Sequence, residues 1–254
     1  GRFTSLVIPN VFGPFGKPYY NSVVATFCYQ LTRNDTPQLN SNGLINLIYV
    51  GDLVEEIISC FSDSENSKTT INRRIISPTN SIELSDLLKT LLLFKSEYIE
   101  QGIIPCLNTR FEINLFNTFR SFIELKKFFP KEYTIHSDNR GSFVELIKLG
   151  GGGQVSYSTT LPSVTRGNHF HTRKIERFSV ISGKAKIEMR KVDSKEVLCF
   201  ELSGEKPAYV DMPIWYTHNI SNIGDTELVT VFWINEFYDV RDSDTFFLEV
   251  KTDE

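Results

Sequence analysis

The sequence predicts an α+β chain of two unlike units: a partial α/β unit over residues 1–116, followed by an all-β jelly roll over residues 117–254. Three observations predict it. Strand and helix patterns alternate through roughly the first hundred residues. Beyond Gly141 that pattern gives way to short strands of alternating polarity, punctuated by turn residues. In this second half His169 and His171 stand two residues apart, followed by Glu176 and a distant His218, donors that separate strands would bring together.

Taken in order, residues 5–8 form a short apolar run ended by Pro9-Asn10, the pattern of a parallel strand covered on both faces. Residues 11–18 are rich in turn formers. Val23, Val24, Phe27 and Leu31 give residues 22–31 helical spacing, with Asn21 or Ser22 as N-cap. A strand is expected over 46–50. Asp52 is expected to cap a helix over 53–61 whose apolar face is Leu53, Ile57, Ile58 and Phe61. A strand over 71–76 and a helix over 85–98 complete the alternation.

Phe116, Phe119, Phe122, Leu125, Phe128 and Phe129 mark a connecting helix or arm whose aromatic stripe serves packing, with the domain boundary near Asn117. The strands then expected are 141–149, 154–160, 178–181, 185–190, 196–201, 208–212 and 227–235. Gly150 to Gly153 precedes no helix, so it reads as a flexible hairpin rather than a phosphate cradle.

Bulk properties exclude several function classes. A net charge of −4 gives no basic footprint for nucleic acid. No apolar run approaches the roughly 18 residues of a membrane span. Four scattered cysteines without a CxxC pair, and no signal peptide, indicate reduced thiols in a cytoplasmic protein. The chain opens inside a strand pattern, which predicts further sequence upstream.

His169 and His171 share a face if the strand is extended. Glu176, after the polar turn Thr172-Arg173-Lys174, is expected to return on the neighbouring strand. Three imidazoles and a carboxylate suit zinc, iron, nickel or manganese. The spacing Gly167, His169, His171, Glu176, Gly183 resembles the first cupin motif, and Pro213, His218, Asn222 the second. The resemblance implies a metal held by His169, His171, Glu176 and His218.

The segments Ile8-Pro9-Asn10-Val11-Phe12-Gly13-Pro14 and Ile48-Tyr49-Val50-Gly51-Asp52 resemble the C-terminal half of an extended short-chain dehydrogenase/reductase, a Rossmann-like fold. That resemblance puts Pro9 and Asn10 at the nicotinamide cofactor and Asn10 at the substrate as well. The chain has neither a G-x-x-G-x-x-G loop nor a Tyr-x-x-x-Lys pair, so NADPH is expected to serve a longer parent and not to bind this segment.

Asp138 to Glu145 and Arg166-Gly167-Asn168-His169 resemble nucleotide-sugar 3,5-epimerases. There the histidine is the base and the arginine grips the diphosphate, so His169 is either the fourth ligand or the base, and Arg166 the clamp. The tyrosine acid of those enzymes falls at Phe232, leaving Tyr216, Tyr157 or a metal-bound water to serve. A reductase half followed by a cupin resembles the bifunctional capsule and O-antigen enzymes on the route to UDP-N-acetyl-L-fucosamine. This implies zinc, a homodimer, and inversion of C3 in a UDP-linked 4-keto-2-acetamido-2,6-dideoxy-hexose. Two other classes compete: an iron cupin dioxygenase and a non-catalytic sugar-binding cupin.

Overall fold

The computed structural model describes residues 3–39, 42–63, 71–139, 141–144 and 146–251. The chain divides into two units, Gly1–Gly102 with Leu107–Ile123 and Ile103–Cys106 with Glu124–Glu254.

The first unit runs β1 (Phe3–Val7), β2 (Asn10–Phe12), α1 (Val23–Leu31), β3 (Leu44–Tyr49), α2 (Val50–Asp63), β4 (Ile71–Ile75), β5 (Asn80–Glu83), α3 (Leu84–Phe94) and α4 (Arg110–Arg120). A π-helical turn, Lys95–Glu100, extends α3. Ser22 caps α1 as expected, its hydroxyl accepting from the Ala25 amide at 3.3 Å. α2 starts at Val50, so Asp52 lies in its first turn and favours the helix dipole there instead of capping it.

Two expectations of burial do not hold. Of the anticipated face of α2 only Leu53 is buried, while Ile57, Ile58 and Phe61 are exposed, Phe61 by 71%. β1 is parallel to β4, yet Phe3 and Val7 remain exposed, so it is not covered on both faces. Nor do the strands join one Rossmann-like sheet. β1 and β4 form a parallel pair, while β2, β3 and β5 form a separate mixed sheet.

The expected boundary at Asn117 would cut α4. That helix is built as one piece, its first turn closed by a capping box in which Thr109 and Glu112 satisfy each other's backbone amides. Phe116 packs edge-on against Phe94 and Tyr98, at centroid distances of 5.0 and 5.2 Å. The aromatic stripe therefore serves packing, and the division falls after Ile123.

The second unit holds α5 (Leu125–Phe128), β6 (Lys131–Glu132), β7 (Ile135–Asp138), β8 (Gly141–Val144), β9 (Gln154–Thr160), β10 (Thr165–Phe170), β11 (Glu176–Ser182), β12 (Lys184–Lys191), β13 (Val197–Ser203), β14 (Ala208–Met212), β15 (Tyr216–Asn222), β16 (Leu228–Ile234) and β17 (Phe246–Phe247). Ten of these strands make two five-stranded sheets, ordered β13-β12-β15-β10-β17 and β6-β14-β11-β16-β9. Period-two alternation drives them together: Ala185, Ile187, Met189 and Ile220 of one sheet share a core with Val180, Val210, Met212 and Leu228 of the other. This is the anticipated jelly-roll arrangement.

Gly150 to Gly153 does not close a hairpin, because β8 pairs with β7 and β9 with β16. The Gly150 amide donates to the Ile104 carbonyl at 2.7 Å, and the Gly152 carbonyl accepts from the Trp233 indole at 3.3 Å. Arg140 and Glu145, within the epimerase-like segment, lie outside the described residues.

On the side of β11 away from the shared core, Arg177 and Asp211 form a buried two-pronged ion pair, with Nε to Oδ1 at 2.8 Å and Nη2 to Oδ2 at 3.0 Å. The guanidinium also stacks on Tyr209, 3.8 Å from the ring centroid. No helix among the described residues is long and apolar enough to cross a membrane.

Candidate metal centre

The centre begins with an irregularity in β10. Arg166 faces Ile220 and Gly167 faces Asn219 across the ladder, but the next partner of β15, His218, faces His169. Asn168 is the additional residue of a β-bulge, and it has φ 60°. Gly167 is required beside it: φ is 105°, and a Cβ there would sit 2.8 Å from the His218 carbonyl oxygen. The bulge turns His169 inward, its ring centroid 4.7 Å from that of His218.

His171 follows just past the end of β10, with ring centroids 5.0 Å from His169 and 5.5 Å from His218. Glu176 opens β11, which belongs to the opposite sheet. The expectation of a neighbouring strand is therefore corrected: the carboxylate reaches the imidazoles across the interior. The cause is the turn at residues 172–175, which crosses between sheets instead of closing a hairpin. Glu176 Oε2 stands 3.0 Å from His171 Nε2 and 3.3 Å from His218 Nε2. One donor atom from each of His169, His171, Glu176 and His218 lies within 4.8 Å of the others.

Backbone carbonyls set the outer ring nitrogens. His171 Nδ1–H donates to the Asp244 carbonyl at 2.5 Å, and His218 Nδ1–H to the Tyr216 carbonyl at 3.1 Å. With Nδ1 carrying the proton, each Nε2 lone pair points inward. The contacts with Glu176 have ion-pair distances but not hydrogen-bond angles. His171 Nε2, His218 Nε2 and Glu176 Oε2 are consequently all buried without a hydrogen-bond partner. Leaving one buried polar atom unsatisfied costs about 1–3 kcal/mol, so three at one point need a reason. A divalent cation supplies one, and the nitrogen and oxygen donors fit it.

The protonation pattern agrees with that fit at His169 and Glu176, while His171 is drawn the other way by its carboxylate neighbour. Burial, then the neighbouring His218 and His171, pushes His169 down to about 4. Burial alone would lower His171, but the Glu176 carboxylate and the Asp244 carbonyl together outweigh it and raise the group. Burial alone would raise Glu176, but the two imidazoles hold it well below the usual carboxylate range. An ionised carboxylate and a neutral His169 are the forms that bind metal.

The other anticipated residues are spread more widely. Arg166 is exposed and lies opposite the core residue Ile220, which puts it on the inward face of β10 with His169. Tyr216 packs against the shared core on the inward face of β15. Burial, then the Asp193 and Glu196 carboxylates, raises its pKa, so the hydroxyl stays protonated. Tyr157 is 74% exposed on β9.

Phe232 lies 5.7 Å from Phe178, which in turn meets His218 edge-on. Pro9 and Asn10 belong to the first unit and do not join the donor set. Asn222 shapes the turn after β15, donating to Thr160 and Thr226 and accepting from Gly224. Sequence reasoning missed Asp244, whose carboxylate gathers the amides of Thr172, Arg173 and Lys174. Nothing in its local pattern distinguishes it from the other acids of the C-terminal segment.

The family described as "Polysaccharide biosynthesis C-terminal domain" matches residues 136–246, a stretch containing all four donors. The chain is 33% identical over 242 residues to the UDP-2-acetamido-2,6-beta-L-arabino-hexul-4-ose reductase of Pseudomonas aeruginosa. That match covers 94% of this chain and 63% of the reductase, so the chain spans less than two thirds of that relative.

Among solved structures, CapF with the inhibitor 3-isopropenyl-tropolone is 39% identical, with 96% of this chain and 70% of that chain covered and a TM-score of 0.50. The capsular polysaccharide assembling protein CapF from Staphylococcus aureus is also 39% identical, with 96% and 67% covered and a TM-score of 0.49.

Proposed function

This chain belongs to the CapF family of capsular polysaccharide proteins, and from that premise we propose that its second unit is the catalytic domain of a nucleotide-sugar-modifying enzyme. In this reading His169, His171, Glu176 and His218 hold a divalent cation, zinc by preference, and the reaction inverts C3 of a UDP-linked 4-keto-2-acetamido-2,6-dideoxy-hexose. The observation that carries it is the convergence, from two sheets, of three buried donor atoms that have no hydrogen-bond partner.

When bound, the cation would draw charge onto the 4-keto oxygen and ease loss of the proton at C3. Three residues of the chain have assigned roles around it. His169 has its donor atom within 4.8 Å of those of His171, Glu176 and His218, so we assign it as a ligand and not as the base. Tyr216 shares an inward face with His218 and keeps its proton, which suits a donor to the inverted centre. Arg166, exposed on the face that carries His169, is the diphosphate clamp.

A tropolone carries two adjacent oxygens, the kind of pair a chelated cation accepts, and the inhibitor of the related CapF belongs to that class. Reduction at C4 with NADPH we assign to the longer parent, in keeping with the reductase name of the Pseudomonas relative.

Incubation of the chain with a UDP-4-keto-6-deoxy amino sugar in heavy water tests the reading. NMR is expected to show deuterium entering at C3 together with the inverted sugar; a C3 proton that persists while the ligand binds would refute catalysis. Arg166→Ala is expected to weaken UDP binding by roughly 10- to 100-fold, the loss of about 1.5–3 kcal/mol typical of a hydrogen bond to a charged group. An unchanged dissociation constant by calorimetry removes Arg166 from the clamp role.

A further inference from the structure

We infer that Asp244 is a positioning residue for the metal centre, its carboxylate fixing the turn that sets the His171 ring and its tautomer. The inference rests on the metal-site reading above and extends it to a residue that contacts no cation.

The carboxylate is buried and saturated with donors. Oδ1 accepts from the Thr172 hydroxyl at 2.6 Å and the Thr172 amide at 3.1 Å. Oδ2 accepts from the Arg173 amide at 3.0 Å and the Lys174 amide at 2.9 Å. Three consecutive backbone amides therefore converge on one side chain, immediately after His171 and shortly before Glu176. Those two residues supply a donor each from opposite sides of the barrel, so the turn between them sets their separation.

The same residue also uses its main chain. Its carbonyl accepts the His171 Nδ1 proton, leaving Nε2 as the free donor. Asp244 adopts φ 41°, in the left-handed region, which a non-glycine residue occupies when its surroundings enforce it. Lys174 Nζ donates to the adjacent Ser243 carbonyl at 2.5 Å, fastening the loop from the other side.

The segment does not depend on Asp244 for attachment. The Leu248 amide donates to the Asn168 carbonyl at 2.9 Å, and Arg190 donates to the carbonyls of Val250 and Glu249 at 2.7 and 2.8 Å. Removing the carboxylate should therefore loosen the 172–174 turn and the Asp244 backbone while the chain beyond stays docked.

The test uses the intact chain, stripped of metal and titrated with Co²⁺ by its visible absorption, with the His171 ring proton followed by NMR. Asp244→Ala is expected to weaken Co²⁺ binding about 10- to 100-fold, the range for groups that orient a ligand, and to lose the exchange-protected Hδ1 resonance of His171. Asp244→Asn, which keeps one acceptor oxygen and can donate to the Thr172 hydroxyl, should restore most of both.

A folded Asp244→Ala chain with wild-type affinity and a protected Hδ1 overturns the inference. If Asp244→Ala does not fold, Thr172→Val decides: several-fold weaker Co²⁺ binding supports the role, and unchanged binding overturns it. Absence of Co²⁺ binding by the unsubstituted chain would instead sink the metal reading itself, and the Hδ1 resonance would still report whether Asp244 sets the tautomer.

Discussion

Replacing His171 with alanine should abolish both cation binding and C3 exchange. The substitution removes one of the two Nε2 atoms that flank Glu176 Oε2, at 3.0 Å, and leaves a buried carboxylate facing His218 alone. Structural zinc sites bind with roughly 10–16 kcal/mol shared among their ligands, so losing one of four costs on the order of 3 kcal/mol. That corresponds to at least a hundredfold weaker binding.

Metal content after dialysis should fall to background in the variant. Its exchange rate should match that of the unsubstituted chain treated with a chelator. Full-rate exchange in a metal-stripped His171→Ala chain would remove the cation from the reaction.

Asp211→Ala should destabilise the second unit by about 3–5 kcal/mol. It removes the two-pronged carboxylate partner of the Arg177 guanidinium, whose side chain is 2% exposed, at a position that is fully buried. A buried pair adds little over an apolar replacement because both ions must be desolvated, but removing one partner leaves that penalty uncompensated. The stack on Tyr209 retains part of the interaction and will not replace the carboxylate.

The neighbouring Trp233, buried and paired with Arg177 across the ladder, gives a fluorescence signal for urea unfolding of this unit. Replacing both residues by apolar ones, Arg177→Met with Asp211→Leu, should cost less than Asp211→Ala alone. A midpoint for Asp211→Ala within error of the unsubstituted chain would show that the pair carries no such burden.

Much of this architecture was legible in the residues. Strands 154–160 and 208–212 match their observed limits because their alternation or apolar run is bounded by clear turns. The donor set was legible because its spacing is unusual. β15 was not anticipated as a strand, and the reason is chemical: two of its inward positions carry Tyr216 and His218, and Thr217 and Asn219 add further polarity, so the apolar signal is diluted. The sheet to which Glu176 belongs could not be read from spacing, since a four-residue connection can close a hairpin or cross a barrel. Burial in the first unit misled for another reason. The apolar stripe of α2 specifies what could be covered, not what covers it.

The single inserted residue in β10 has a consequence for how the site can fail. Arg166 and His169 are three positions apart, an odd count, and an unbroken ladder would point them to opposite sides of the sheet. With Asn168 bulged out they fall into phase. Any change at Gly167 that ironed the strand flat would put His169 opposite Thr217, facing outward, while Arg166 kept its place. Anion grip and metal coordination would then be uncoupled in one step, and a more regular sheet would be the less competent one.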